Sequence, residues 1–309
     1  MLRILVLCND KLGFPALQQL LQHKLVVAVG TSDRIPETRL MLNHFCKQFG
    51  VPLQIFSKKD FEAQLLFWLE QYKPDLVLVK TFPFRIPASA LAIPKFGFIN
   101  FHYAPLPEFR GPNPLFWMIR NKETSGGVSV HRMDENFDTG ELLLNEKIPI
   151  QHEASFGMIS TQLAFAGASM TATLIQGLTN NSLKPQAQDS AKAHYYPRPE
   201  AADLFIKWNE MTSLEVRALV KACNPWNKGA IVRFKGWTFA ITDAAVSYFK
   251  IAAGTLPGTI VTLDETNGLI ICCKNNQALK AEVIYTEEGF FSGHKLSQFG
   301  IKKNDCLES

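Results

Sequence analysis

Short apolar runs alternate with segments of helical spacing in the first part of the chain, and this alternation restricts the fold more than any other feature. The apolar runs, which are typical of strands buried on both faces, are residues 2–7, 25–29 and 76–79. The segments with helical spacing are residues 14–22, 40–49 and 65–72. Because strands that alternate with helices form a parallel sheet covered on both faces, the sequence predicts a doubly wound α/β domain.

A polar pair lies at the end of the next predicted strand, residues 97–102. Side chains alternate along a strand, so Asn100 and His102 share one face. Pro105 and Pro107 cannot continue a sheet ladder, so the strand must end just past His102. Ligands of open α/β sheets bind at the carboxyl ends of the strands. The sequence therefore predicts that the pair reaches a binding site, although a polar pair at a loop mouth also serves as a partner for backbone groups.

Two further motifs follow this strand. Arg110-Gly111 lies in the proline-rich loop, where glycine permits a positive φ and the arginine is expected to shape the loop without a catalytic role. The Leu106-Pro107 bond of that loop is a candidate for cis geometry. Asp138 begins an Asp-Thr-Gly turn, in which an aspartate commonly caps backbone N–H groups. We expect Asp138 to join the polar pair instead.

Together these motifs resemble the signature of formyltransferases that use 10-formyltetrahydrofolate. The resemblance is carried by Asn100, His102, Leu106-Pro107, Arg110-Gly111 and residues 138–140. The family includes methionyl-tRNA, glycinamide ribonucleotide and amino-sugar formyltransferases. The resemblance implies an enzyme with a Rossmann-like formyltransferase domain at residues 1–182. It also implies transfer of a formyl group from the folate donor to an amine.

The same resemblance implies a catalytic role for three residues. Formyl transfer needs a hydrogen-bond donor for the oxygen that becomes negative and a base for the proton of the amine. Asn100 would donate through its amide, and His102 would donate when protonated. Asp138 would orient His102 or accept a proton through water.

The folate pocket is also implied by the resemblance. The loop at residues 80–87 is rich in aromatic residues and proline, and in the family the corresponding loop lines the pocket of the pterin ring. The folate-binding residues expected on this basis are Phe82, Phe84, Arg85, Ile86, Glu135 and Phe137. Packing at the edge of a domain is the other interpretation of the loop. The first turn, residues 8–13, lacks the spaced glycines of a dinucleotide site, which argues against a reductase.

A second domain is predicted after a polar, proline-containing linker at residues 183–203. Closely spaced short β runs from residue 204 to 309, with an Asn267-Gly268 hairpin signal, predict a small antiparallel barrel of the OB-like kind. Residues 224–226 and 257–260 resemble the carboxyl-terminal domain of tRNA and amino-sugar formyltransferases. Glycinamide ribonucleotide formyltransferase lacks that domain, so its substrate is not expected.

The acceptor amine is the least determined feature. Methionyl-tRNA formyltransferases carry a longer, basic loop after the second strand, whereas residues 31–39 are short and contain two arginines. From residue 207 onward, twelve Lys and Arg stand against ten Asp and Glu, without the basic excess typical of an RNA-binding domain. Residues 292–300 resemble the tail of amino-sugar formyltransferases. The expected acceptor is therefore a nucleotide-linked amino sugar or another small amine, and the alternative acceptor is aminoacyl-tRNA. A further alternative for the protein as a whole is a non-catalytic relative that binds folate or a nucleotide.

Composition sets the remaining expectations. The chain is 47% hydrophobic and 19% charged, with a net charge of +4 that permits an anionic partner without requiring one. Its six cysteines lack paired or metal-ligand spacing and are typical of free thiols in a reducing cytoplasm. No apolar run looks long enough for a membrane span, and the amino terminus turns polar too early for a signal peptide. We therefore expect a cytoplasmic protein without metal, membrane or DNA.

Overall fold

The computed structural model describes residues 2–151 and 153–309, which form two compact units. The first unit consists of the chain up to residue 114 together with residues 125–149 and 160–197, and the second of residues 115–124, 150–159 and 198–309. Each unit thus combines separate segments, whereas the domains predicted at 1–182 and 204–309 are continuous. Those boundaries stay a prediction.

The first unit is built on a seven-stranded sheet with the order β3-β2-β1-β4-β5-β6-β7. Its strands are β1 (Ile4–Cys8), β2 (Val26–Ser32), β3 (Leu53–Phe56), β4 (Leu76–Lys80), β5 (Phe98–His102), β6 (Ser125–Arg132) and β7 (Leu142–Pro149). Strands β1 to β5 are parallel, and β6 and β7 extend the sheet antiparallel. The order reverses between β1 and β4, as in a doubly wound sheet, so this prediction is confirmed.

Helices alternate with the strands along this part of the chain, although residues 115–120 and 156–159 belong to the second unit. One strand of the sheet was not predicted. The helices are α1 (Phe14–Gln22), α2 (Pro36–Phe49), α3 (Phe61–Tyr72), α4 (Ala88–Leu91), α5 (Pro114–Arg120) and α6 (Phe156–Thr179). The unpredicted strand, β3, lies at the edge of the sheet. Its four residues are mostly half-exposed, and Ile55 is 41% exposed, so it lacks the continuous apolar run of a central strand.

Helix α6 overturns the expectation that no segment has the dimensions of a membrane span. Its 24 residues are long and apolar enough to cross a membrane by length and composition. The apolar character is interrupted in sequence by Ser, Thr and Gln, so it does not stand out as one run. Leu163 and Leu174 are fully buried, and a core helix of a folded domain meets the same criteria.

A buried aromatic cluster packs around Phe98, the first residue of β5. Phe56 lies edge to face with Phe61 and with Trp68, at centroid distances of 5.4 and 5.3 Å. Phe98, the first residue of β5, is buried in the same cluster. Each aromatic pair contributes about 0.5–1.5 kcal/mol beyond the burial of its surface. The cluster therefore anchors one end of the strand whose other end carries His102.

The opposite face of the sheet contains a buried lysine. Lys80 is fully buried at the end of β4, and its Nζ donates to Thr171 Oγ1 at 2.7 Å and to Gly167 O at 3.4 Å. Among residues 2–151 and 153–309, no carboxylate lies within ion-pair distance of this amine. Burial therefore lowers the pKa of the Lys80 amine well below its usual value.

Replacing Lys80 by methionine is expected to stabilise the protein by about 1 kcal/mol or more at neutral pH, because a buried amine without a carboxylate partner gives way to an apolar chain of similar length. Thr171 Oγ1 keeps its other bond, to Gly167 O at 2.6 Å. Since the folded state favours the neutral amine, wild-type stability rises with pH toward the ordinary pKa of lysine, and the variant should lack this rise. Urea unfolding between pH 7 and 10 measures both effects. Lys58→Met, at an exposed lysine, should change neither, and a less stable Lys80→Met would contradict the prediction.

The second unit contains an antiparallel sheet with the order β10-β11-β12-β9-β8, and β13 pairs with β12. Its strands are β8 (Ala230–Phe234), β9 (Trp237–Ser247), β10 (Ile260–Asp264), β11 (Gly268–Cys273), β12 (Gln277–Thr286) and β13 (Gly289–Ser292). Helix α7 (Ser213–Cys223) begins with a capping box between Thr212 and Glu215 and packs against β9. Gly268 follows the hairpin turn with φ +78°. The predicted antiparallel domain is confirmed.

The carboxyl-terminal tail joins the two edge strands of this sheet. Ile260 N–H in β10 donates to Asp305 O at 2.9 Å, and Glu308 N–H donates to Arg233 O in β8 at 2.9 Å. The sheet therefore closes on itself through the tail, which covers backbone groups that an open edge would expose.

Candidate active site

Three residues singled out in the sequence lie together at the carboxyl end of β5. Asn100 and His102 lie on one face of this strand, and Asp138 lies in the loop between β6 and β7. His102 Nδ1 is 3.5 Å from Asp138 Oδ1, and the His102 side chain is 7% exposed. The other ring nitrogen, Nε2, is 2.6 Å from Phe109 O. Since both oxygens are acceptors, the orientation of the imidazole is set from both sides.

His131 is a member of the site that the sequence analysis missed. It lies on β6, directly opposite Asn100 in the antiparallel pairing of β5 and β6. His131 Nε2 is 3.1 Å from Asn100 Nδ2 and 3.6 Å from Asp138 Oδ1. The register between β5 and β6 places it there, and no local sequence pattern indicated that His131 would lie opposite Asn100.

The hydrogen bonds of His131 orient the amide of Asn100. His131 Nδ1 lies 3.1 Å from the carbonyl oxygen of Arg132, which can only accept, so Nδ1 carries a proton. When Nε2 is protonated it points a donor toward Asp138 Oδ1, 3.6 Å away, and when it is not protonated it accepts from Asn100 Nδ2. This bond uses one of the two Nδ2 hydrogens of Asn100, so the amide can donate its second hydrogen to another acceptor.

Asp138 is held as an anion by the groups around it. Burial raises the pKa of its carboxyl, but nearby His102 and His131 and the N–H of Gly111 outweigh burial and hold the pKa well below its usual range. Gly111 N donates to Asp138 Oδ2 at 3.0 Å. The site therefore keeps a carboxylate next to two imidazoles at neutral pH.

The loop that follows β5 has the geometry expected from its glycine and prolines. Gly111 has φ +114°, and a Cβ at this position would lie 2.0 Å from Tyr196 O, so glycine is required there. The Leu106-Pro107 bond is cis. Both predictions are confirmed. The guanidinium of Arg110 donates to Gln188 Oε1, which lies outside this loop.

The residues expected to bind folate divide into two groups. Phe84 and Ile86 are 7% and 2% exposed and belong to the hydrophobic core, as the alternative interpretation of the loop proposed, so their side chains offer no open face. Phe82 is half-buried, and Phe137 is 56% exposed. Arg85 Nη2 donates to the backbone oxygen of Glu135, which brings the two loops together. Aromatic faces next to polar edges fit a flat heteroaromatic ring, but the assignment of the six residues stays a prediction.

Metal ligation has no candidate group in the part of the chain that the structure describes. Within residues 2–151 and 153–309, no three His, Cys, Asp or Glu side chains are arranged to hold a metal ion.

Known proteins are similar to this chain over more than 90% of its length. The chain is 28% identical over 309 residues to the methionyl-tRNA formyltransferase of Clostridium beijerinckii, with 96% of this chain and 98% of that protein covered. It is 26% identical to that of Clostridium botulinum, with the same coverage. The fold is similar to the N-formyltransferase of Helicobacter canadensis solved with folinic acid and dTDP-3-aminofucose, with a TM-score of 0.69, 16% identity, and coverage of 91% and 99%.

The family described as Formyl transferase matches residues 8–175, and the Formyl transferase C-terminal domain matches residues 199–290. The first match contains the whole site at the end of β5 and accounts for more than half of the chain. The chain therefore belongs to the formyl transferase family of enzymes.

Proposed function

We propose that this protein is an N-formyltransferase that moves the formyl group of 10-formyltetrahydrofolate to the primary amine of a nucleotide-linked amino sugar or a similar small molecule. The observation that supports formyl transfer most strongly is the convergence of Asn100, His102 and Asp138 at the carboxyl end of β5. A donor, an imidazole and a carboxylate at one point supply the groups that this reaction needs.

The proposed roles follow from the contacts. The neutral amine attacks the formyl carbon, and negative charge develops on the formyl oxygen before the bond to N10 of the folate breaks. Asn100 directs its second Nδ2 hydrogen to that oxygen while His131 holds the first. His102, when protonated, donates to the same oxygen, and Asp138 balances its charge. The proton released by the amine passes through water to N10 of tetrahydrofolate, which takes up a proton as it leaves.

A small acceptor is favoured by the connection between β2 and α2. Only residues 33–35 lie between Val26–Ser32 and Pro36–Phe49, so no extended basic loop reaches out at this edge of the sheet. The guanidinium of Arg34, the arginine within this connection, lies 4.9 Å from the centroid of the Phe84 ring. A connection this short is unsuited to grip the acceptor stem of a tRNA.

Methionyl-tRNA is the second candidate acceptor. It is favoured by the similarity to the methionyl-tRNA formyltransferase of Clostridium beijerinckii, which covers both domains of the chain. A non-catalytic protein that binds folate or a nucleotide is a third candidate, which the convergence of Asn100, His102 and Asp138 argues against. Five of the six cysteines are buried free thiols, which supports the proposal that the protein works in the reducing cytoplasm.

Release of tetrahydrofolate from 10-formyltetrahydrofolate tests the proposal. The purified protein is incubated with the donor and, in parallel, with nucleotide-linked amino sugars or methionyl-tRNA. Turnover that depends on an amino sugar is the expected result. Turnover with methionyl-tRNA alone would establish the second candidate, and folate binding without turnover on any acceptor would reject the enzymatic proposal.

Asn100→Ala is expected to lower kcat by about a hundred- to a thousandfold, because loss of one donor to a developing oxyanion has this cost. The substitution leaves the backbone pairing of β5 in place, so the variant should fold. The effect is measured by steady-state kinetics with whichever acceptor supports turnover in the tetrahydrofolate-release experiment. Asn145→Ala, at an exposed asparagine on β7, is the matched control, and equal rates for the two variants would remove Asn100 from the mechanism.

A further inference from the structure

The segment predicted as a linker is attached to the loops of the site. Gln186 and Leu142 exchange two backbone hydrogen bonds, of 2.9 and 2.8 Å. Arg110 N–H donates to His194 O at 2.9 Å, and Tyr196 N–H donates to Arg110 O at 2.8 Å. Residues 186–196 therefore connect the loop after β5 with the start of β7, and Asp138 lies on the chain between these two attachment regions.

Within this segment, the side chain of Gln188 contacts the loop after β5 and the loop between β6 and β7. Its Nε2 donates to Asp138 O at 2.9 Å and to Gly140 O at 2.8 Å. Its Oε1 accepts from Arg110 Nη2 at 2.8 Å and from Nε at 3.2 Å. Because a guanidinium only donates and a carbonyl oxygen only accepts, these contacts determine which end of the amide faces each partner.

The backbone of Asp138 requires support of this kind. Asp138 has φ +58°, a left-handed conformation that is unfavourable for an L-residue. Gln188 binds the carbonyl oxygens on both sides of Thr139, and Gly111 N–H binds Asp138 Oδ2. With the backbone and one oxygen held, the other oxygen faces the two imidazoles of the site.

We propose that Gln188 is a positioning residue for formyl transfer, which holds the turn at Asp138 so that the carboxylate points at His102 and His131. The role of Asp138 in turnover rests on the proposed function. The geometric part does not, because the ionisation of Asp138 can be followed without any acceptor.

Two variants separate the bonds of Gln188. Gln188→Met has a similar length but neither donates nor accepts. Gln188→Glu can still pair with Arg110 but cannot donate to the two carbonyl oxygens. Gln186→Met, at an exposed glutamine two positions earlier, is the matched control. If the donated bonds position Asp138, both Gln188 variants should lose about ten- to a hundredfold in kcat with little change in KM, and the control should lose nothing.

The second readout is the titration of the Asp138 carboxyl carbon by NMR, assigned with Asp138→Asn. In Gln188→Met the pKa of Asp138 should rise toward its ordinary value, because the carboxylate moves away from His102, His131 and the Gly111 amide, while Gln186→Met should leave it unchanged. An unchanged titration in folded Gln188→Met, or wild-type kcat in Gln188→Glu, would overturn the proposal. A shifted titration in a protein that turns over no acceptor would support the positioning role and reject the proposed function. If Gln188→Met does not fold, the same titration and kcat measured in Gln188→Glu test the positioning role.

Discussion

His102→Ala is expected to lower kcat by about a hundred- to a thousandfold while the protein stays folded. The imidazole of His102 is the group that can place a proton next to the negative oxygen of the intermediate, and loss of such a donor has a cost of this size. It is nearly buried, and in this structure its Nε2 is bonded to Phe109 O, an acceptor that the formyl oxygen would replace as its partner.

The measurement is single-turnover release of tetrahydrofolate, with thermal unfolding as the test of folding. His44→Ala, at an exposed histidine of α2, should keep the wild-type rate. A folded His102→Ala protein with normal turnover would show that formyl transfer does not use this imidazole, and the role assigned to the site would have to be abandoned.

Asp138→Asn should lower kcat by about a hundredfold or more, because an amide has the shape of the carboxylate but lacks the negative charge that balances protonated His102. The amide oxygen can still accept the N–H of Gly111, so the loop should keep its conformation. The comparison variant is Glu141→Gln, at an exposed carboxylate three positions further on, which should retain full activity. Equal activity of the two variants would show that the charge of Asp138 is not used.

The same substitution should change how stability depends on pH. The folded protein holds the pKa of Asp138 below its usual range, so the carboxylate stabilises the fold fully above the unfolded value of about 3.9. This contribution is lost as the pH falls through the lower folded value. Urea unfolding should therefore show a larger stability difference between wild type and Asp138→Asn at pH 7 than at pH 3. A difference that grows toward acid pH would contradict the low pKa.

Local patterns were sufficient for much of this fold and for part of its site. The apolar runs and helical spacings predicted the doubly wound sheet, since burial on both faces and amphipathic packing depend on residues close in sequence. Pro105 and Pro107 located the end of β5, and alternation placed Asn100 and His102 on one face. The short strands β3 and β13 were missed, because four residues that are mostly half-exposed or exposed form no continuous apolar run.

The sequence by itself therefore determined the architecture, the end of β5 and the pairing of Asn100 with His102, all of which follow from short-range sterics and the period of a strand. The tertiary structure decided the rest of the site. His131 reaches Asn100 through the register of β5 and β6, which no local signal specifies. Gln188 reaches Asp138 across 50 positions of chain, because the segment predicted as a linker pairs with the loops of the site instead of crossing solvent. Contacts of this kind depend on how separate elements pack, so they could be found only in the folded chain.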